Sequence, residues 1–463
     1  MKLTLLGGGA FRNLPIVRNA LASPALLTDG SIYLYDLNPA RAEAMGRMIQ
    51  RTPEYAAVRC PVVWDAPVET ALEGADAVNI SFPCGSLETG IRSGIASRKL
   101  GFMSSDQLSP TGSMLALYGG PIILNYARLM ERYCPAAWFI IFANPVAVYS
   151  ALVNNHTRIR ALGVCGGFAN HMWDLTRLMG REAQEDVYDL DVAGINHLSF
   201  ILRGAVRGEE LFSTLARFIG PGWKPPRVTP HLRWLATHIR FGLRKLIDLI
   251  ENFGVTIFST EGDGMAHLFY EEMFERGRQE DRLPTRAQFR RMAAQQAHTR
   301  IEADRTFHAN LDQALPAAFW AQQTRAGTHF GRDDHGVTGR ILRALGGIGS
   351  EKIVASHPNR GAVAGFPART ALEYSFTLRD GTLTPTPDLY IPAPFHGMLS
   401  ALAMHQTLVA DAIADEDPRT LFHALYAYPI KQNTRDSRAL FRALLEIHRE
   451  EMPVALRATK SYL

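Results

Sequence analysis

Over the first third of the chain the apolar positions fall into short runs separated by helix-compatible stretches, not into long amphipathic stripes. Residues 2–6, Lys-Leu-Thr-Leu-Leu, form the first run, and Gly7, Gly8 and Gly9 end it. Ala10 to Val17 follow as a helix start, and a second run, Ile32-Tyr33-Leu34-Tyr35, stops at Asp36. Further apolar runs predict strands at 77–82, 138–142 and 161–165. Strands and helices therefore alternate to about residue 170, the pattern of a doubly wound parallel sheet. From Val187 the pattern changes to mixed elements, with a basic helix near 232–250, a polar helix over 285–310 and a helical block after Pro394. The expected fold class is α/β, with an N-terminal Rossmann domain over 1–185 and a mixed α+β substrate and oligomerisation domain over 186–463. The longest apolar stretch, 138–153, is broken by Asn144-Pro145 and reads as a buried strand and a helix, not a membrane span. A loop rich in Gly, Asp and His over 330–336 is the expected mobile segment.

A strand, a glycine turn, a helix and a second strand closed by an acid make a dinucleotide site mechanically sensible. The glycines let backbone approach a pyrophosphate, the helix N-terminus offers unpaired N–H groups, and the acid accepts ribose hydroxyls. Here Arg12 stands where the third glycine of G-x-G-x-x-G belongs, so the motif is incomplete. Ligands of such sheets bind at the carboxyl ends of the strands, which draws attention to Asn79, Ser104-Ser105-Asp106, Asn144-Pro145 and Cys165. Cys165 before two glycines, and His197 in Gly194-Ile195-Asn196-His197-Leu198, each read as core when taken singly. Together a thiolate and an imidazole are half a coordination shell for a divalent transition metal, without zinc-finger spacing.

Composition narrows the partners. The 463 residues carry 49 basic and 45 acidic side chains, a net charge of +4 without long like-charge blocks, which gives no footprint for nucleic acid or a membrane surface. Four scattered cysteines and an opening apolar run too short for a signal peptide fit reduced thiols in the cytoplasm. Small-molecule chemistry is the class that remains.

The order of these motifs resembles glycoside hydrolase family 4, the NAD- and manganese-dependent 6-phospho-glucosidases, alpha-galactosidases and alpha-glucuronidases. The resemblance runs from the glycine turn and Tyr35-Asp36 through Asn79, Pro110-Thr111-Gly112, Cys134-Pro135-Ala136-Ala137-Trp138 and Ala143-Asn144-Pro145-Val146. It continues through Gly163-Val164-Cys165, Gly194-Ile195-Asn196-His197-Leu198, Pro358-Asn359-Arg360-Gly361 and Phe366-Pro367. It implies a lactate-dehydrogenase-like fold, a homodimer or homotetramer, and NAD with Mn2+ or another divalent metal as cofactors. It also implies a glycosidase that oxidises the sugar at C3, removes the C2 proton with help from the metal, eliminates the aglycone, adds water and reduces C3 again, outside the two-carboxylate scheme. Residue by residue, Gly7, Gly8, Gly9, Ala10, Phe11, Arg12, Asp36 and Asn79 would contact the nucleotide and Cys165 and His197 the metal. Asn144, Asp106 and Asn196 would contact the sugar, and Asp263 would serve as an acid or base, with His267 its neighbouring histidine.

Two departures bear on substrate and base. Phospho-glycosidases carry a tyrosine base where this chain has Pro230-His231-Leu232-Arg233-Trp234; His231, with an unperturbed pKa of about 6.5, is the candidate replacement. Phospho-sugar members carry an arginine after the strand that ends here in Asn79-Ile80-Ser81, whereas this chain has Phe82-Pro83-Cys84, so an unphosphorylated or differently charged glycoside is expected. Two readings compete with the glycosidase: an NAD-dependent dehydrogenase of the lactate and malate type, and a nucleotide-binding regulator without catalysis.

Overall fold

The structure is a computed structural model. It describes the chain except residues 84, 167–173, 181–186, 221, 225–235, 258–261, 271, 273–285, 312, 326–328, 332–336 and 432–433, and a few further side chains, that of Asp263 among them. The described strands form a 13-stranded sheet. Its parallel half contains β1 (Lys2–Leu6), β2 (Ser31–Tyr35), β3 (Val62–Val63), β4 (Ala77–Ile80), β5 (Trp138–Ile141) and β6 (Arg160–Gly163). Across the sheet they run β3-β2-β1-β4-β5-β6, so the winding reverses between β1 and β4. Crossover helices leave on opposite faces at that point, and a crevice opens above the carboxyl ends of the strands.

The sequence dictates this half locally. Leu3, Leu5 and Leu6 of β1 are buried, as is every residue of β4 and β5, because helices cover both faces of the sheet. Each ladder ends a little before the apolar run does, at Ile80, Ile141 and Gly163. The polar residues after those ends, Ser81, Asn144 and Cys165, are thereby released into the crevice region.

The sheet continues past β6. Ser356 of β11 (Glu351–Pro358) pairs antiparallel with Gly163. Next come β12 (Ala371–Arg379), β7 (Tyr188–Ile195), β8 (Leu198–Val206) and β10 (Thr256–Ile257), all antiparallel. The short strands β9 (Glu209–Glu210) and β13 (Thr382–Pro385) pair with β8 and β12. The boundary expected at 185/186 touches residues 181–186, outside the described part, and the sheet itself crosses from one half to the other. The helices expected near 232–250 and 285–310 span Ala236–Phe253 and Arg286–Leu311. The C-terminal block opens with Ala393–Asp415, which packs on the Pro110–Tyr133 and Val146–His156 helices. Among the described residues no helix is long and apolar enough to cross a membrane. Most of the loop expected at 330–336 lies outside the described residues.

Candidate active site

The glycine turn is held open by its own side-chain ties. Asn13, at the start of the Asn13–Leu21 helix, donates its amide to the carbonyls of Gly7 and Gly8 at 2.9 and 3.0 Å. The N–H of Gly8 goes to Tyr35, that of Ala10 to Gly7, and that of Gly9 to the Asp36 carboxylate at 2.9 Å. Phe11 and Arg12, next along, have no backbone acceptor among the described residues. Two adjacent free N–H groups at a helix start suit a phosphate. Gly7 has φ +75°, and a Cβ there would lie 2.2 Å from the Ser81 carbonyl oxygen, so no other residue allows β1 and the β4 loop to approach so closely.

Beside the turn lies a cleft of about 630 Å³ lined by Gly7, Gly9, Ala10, Phe11, Tyr35 and Asp36. Tyr118, Ile122 and Tyr126, spaced four residues apart on the Pro110–Tyr133 helix, supply an apolar wall. Burial pushes the Tyr126 hydroxyl up to about 12, with the Tyr35 and Asp36 charges adding to the shift, so it stays neutral. Asp36 accepts the Gly9 and Asn38 N–H groups on its two oxygens, which fixes the carboxylate at the cleft edge. The volume and the acid suit an adenosine and its ribose. Thr299, Arg300, Ala303 and Asp304 of the Arg286–Leu311 helix close the cleft from the C-terminal half, with Asp304 paired to Arg41 at 3.0 Å. The pattern of the chain predicts that helix but not its place over the cleft. Asn79 is fully buried inside β4; neither atom of its amide has a hydrogen-bond partner among the described residues, and its neighbour Ile80 lines the cleft.

Cys165 and His197, 32 residues apart, come together: Sγ and Nε2 lie 3.4 Å apart and both side chains are half-buried. With zinc's bond lengths as the scale, two ligands of one ion at 90–110° have a sulfur–nitrogen separation of about 3.1–3.6 Å. The same distance suits an S–H···N contact in the metal-free chain. No cluster of three or more His, Cys, Asp or Glu able to hold a metal occurs among the described residues, so the pair is a half shell that substrate oxygens and water could complete.

His197 occupies the two-residue turn between β7 and β8 with φ +69°, a left-handed conformation that needs support from its surroundings. Glu373 on β12 gives it. This carboxylate is only 4% exposed and accepts the Asn196 amide at 2.8 Å and the Ser199 hydroxyl at 2.7 Å, the two residues that bracket His197 and Leu198. Burial raises its pKa, while the Ser199 and Asn196 hydrogen bonds and the charge of His197 oppose the shift. Asn196, expected at the sugar, thus turns inward to brace the turn. Nothing in the local sequence marks Glu373, which reaches the site only through the β12–β7 pairing.

Asn144 donates to Asp106 at 2.6 Å, joining the β5 end to the loop before the Pro110–Tyr133 helix. The Arg12 guanidinium lies 3.8 Å from the Phe142 ring centroid, on the segment that leads to Asn144. Burial lowers its pKa and the Cys165 charge raises it, so it stays cationic. The backbone of Asp263 belongs to the helix Gly262–Leu268, which abuts the His197 turn: a Cβ on Gly264 would fall 1.7 Å from the His197 carbonyl oxygen. The Asp263 side chain and all of His231 lie outside the described residues. His267, on the same helix, is buried, with Nε2 2.9 Å from the Tyr428 hydroxyl, and so faces the core.

Comparison with known proteins agrees with this geometry over nearly the whole chain. The family 4 glycosyl hydrolase model matches residues 2–180 and the family 4 C-terminal domain model residues 192–430. An alpha-galacturonidase from Thermoanaerobacter italicus is 23% identical, covering 97% of both chains. A crystal structure of a putative glucosidase from Bacillus subtilis superposes with a TM-score of 0.74 at 21% identity, covering 96% of this chain and 99% of that one. A 6-phospho-alpha-glucosidase from gut microorganisms superposes with a TM-score of 0.74 at 16% identity, covering 98% and 99%. With both family models matched in order along the chain, the protein belongs to glycosyl hydrolase family 4 and is a glycosidase.

Proposed function

We propose that this enzyme hydrolyses an unphosphorylated glycoside of an acidic sugar, a uronide, with NAD+ and a divalent metal ion. The observation that carries the reading is the 3.4 Å Cys165–His197 pair at the carboxyl ends of the strands that also carry the glycine turn. A solved relative is a complex with NAD and Mn2+. The donor set here fits both: free N–H groups and Asp36 for the dinucleotide, one thiolate and one imidazole for the ion. When bound, the pair supplies reversible oxidation at one sugar carbon and charge stabilisation at its neighbour.

The chain's own residues then have separable tasks. Gly7 lets the turn approach the β4 loop, and the Phe11 and Arg12 amides bind the pyrophosphate. Asp36 holds the ribose and thereby orients the nicotinamide end. Cys165 and His197 hold the ion, and Asn144, fixed by Asp106, orients a sugar hydroxyl. Asp263, or His231, moves the proton at C2. Asp263 is favoured because its helix rests on the His197 turn. A substrate without phosphate is supported by Phe82-Pro83-Cys84, which supplies no cation, and the uronide by the alpha-galacturonidases among full-length relatives.

The test is turnover of nitrophenyl galacturonide, galactoside and 6-phosphoglycosides, with metal and NAD+ added or withheld. A strict requirement for phosphate rejects the substrate reading. Aglycone release without net NADH supports the glycosidase cycle; NADH accumulating in step with product would point to the dehydrogenase chemistry instead.

A further inference from the structure

The glycine turn carries one cation that the dinucleotide cleft leaves aside. Gly7, Gly9, Ala10 and Phe11 line that cleft; Arg12 does not. Its side chain instead crosses to Phe142, with the guanidinium 3.8 Å from the ring centroid, and the Cys165 sulfur is the charge it senses. Phe142 is two residues before Asn144, so the guanidinium lies beside the segment that carries the Asn144–Asp106 contact and within electrostatic range of Cys165.

Arg12 differs from the arginines around it. Nearby arginines have acids: Arg18 pairs with Glu54 at 2.8 Å and Arg41 with Asp304 at 3.0 Å. Arg12 has no carboxylate partner among the described residues, and despite its packing its side chain remains open to solvent. A solvent-reachable guanidinium held in place by a ring and left without a carboxylate is available to an anionic ligand. Stacking over an aromatic ring leaves the planar edge with its forked N–H donors free, the geometry that pairs with a carboxylate in bidentate fashion.

We infer that Arg12 is the specificity-determining residue that binds the substrate's own carboxylate, so that its backbone N–H serves the nucleotide and its side chain the sugar. The inference rests on the uronide reading above and assigns the charge recognition that the Phe82-Pro83-Cys84 segment cannot supply. A lysine would keep the charge and lose the fork; a glutamine would lose both.

The experiment uses the full chain loaded with NAD+ and Mn2+, in wild type, Arg12→Gln and Arg12→Lys. It measures kcat/KM on nitrophenyl galacturonide and on the matched galactoside, and the NAD+ dissociation constant by fluorescence titration. The expected result is a uronide-to-galactoside ratio that falls about 30-fold or more in Arg12→Gln, mainly through KM on the uronide. Arg12→Lys should give an intermediate ratio, and NAD+ affinity should stay within about threefold. Because the ratio is taken within each protein, a loss of folded enzyme cancels. An unchanged ratio in both variants overturns the inference while leaving the uronide reading intact. An unchanged ratio with NAD+ affinity weakened tenfold would reassign the side chain to the pyrophosphate. A wild type that cleaves other glycosides but no uronide overturns both readings together.

Discussion

At the scale of single residues, the site depends on atoms that meet from distant parts of the chain. In the proposed metal role, Cys165→Ser replaces a sulfur donor with a hydroxyl, a poorer ligand for a transition metal. The purified variant should retain less divalent metal by elemental analysis, with turnover down by more than about 100-fold. Glu373→Gln tests the brace behind His197. Glutamine keeps the shape and can still bond Asn196 and Ser199, so the fold should survive while Mn2+ affinity falls by about 10–100-fold in a direct titration. Cys165 and His197 were visible in the sequence only as a pair, since each read as core when taken singly, and the fold sets them 3.4 Å apart. Glu373 was not: a lone acid in an apolar strand gives no hint of what lies across the ladder. Asn79 makes a related point, since the sequence cannot say which residue at a strand end faces the cleft, and here Ile80 lines it.

At the scale of elements, close approaches decide more than propensities. Alanine is a better helix former than glycine by about 1 kcal/mol, so Gly264→Ala on an unencumbered helix should stabilise the protein. Here the new methyl would meet the His197 carbonyl, and displacing backbone costs more than the propensity gain, about 1–3 kcal/mol. A lowered melting temperature together with weakened metal binding is the expected outcome; a raised one would mean the helix yields freely. Two buried histidines set a pH dependence. Burial pushes His357 and His405 down to about 4 from an ordinary 6.5. His405 donates from Nδ1 to the Ala424 carbonyl and meets the Ser113 hydroxyl at Nε2, which fixes its neutral form. Between those two pH values the unfolded chain binds the extra protons, so stability is complete above about 6.5 and is lost as the pH falls toward 4, by up to about 1.4 kcal/mol per pH unit for each histidine. Urea denaturation at pH 7.5 and 5 should show that slope, and His405→Gln should reduce it by about one proton.

At the scale of the whole molecule, the continuous sheet and the helix over the cleft tie the two halves together. The Ser356–Gly163 bridge joins the parallel and antiparallel parts, and the Arg286–Leu311 helix lines the cleft beside the glycine turn from the C-terminal half. Calorimetry should therefore record one cooperative transition, and saturating NAD+ at about 100 times its dissociation constant should raise stability by about 2.7 kcal/mol without splitting it. Two separated transitions, only the first sensitive to NAD+, would contradict this. The Arg41–Asp304 pair across the cleft is solvated on both sides and contributes little by itself, about 0.2–1 kcal/mol.

The amino-acid sequence alone determined the local order: a buried apolar strand run into glycines, an acid closing the second strand, and helices alternating with strands to about residue 170. Those features are set by side-chain hydration and backbone sterics within a few residues of each other, so they can be read without knowing the rest. Only the tertiary structure decided that Cys165 and His197 lie side by side, that Glu373 braces the His197 turn, and that the Arg12 side chain leaves the cleft for the Phe142 ring. Each of these depends on strand pairing and packing between segments tens to hundreds of residues apart, and such contacts leave no periodicity in the chain that makes them.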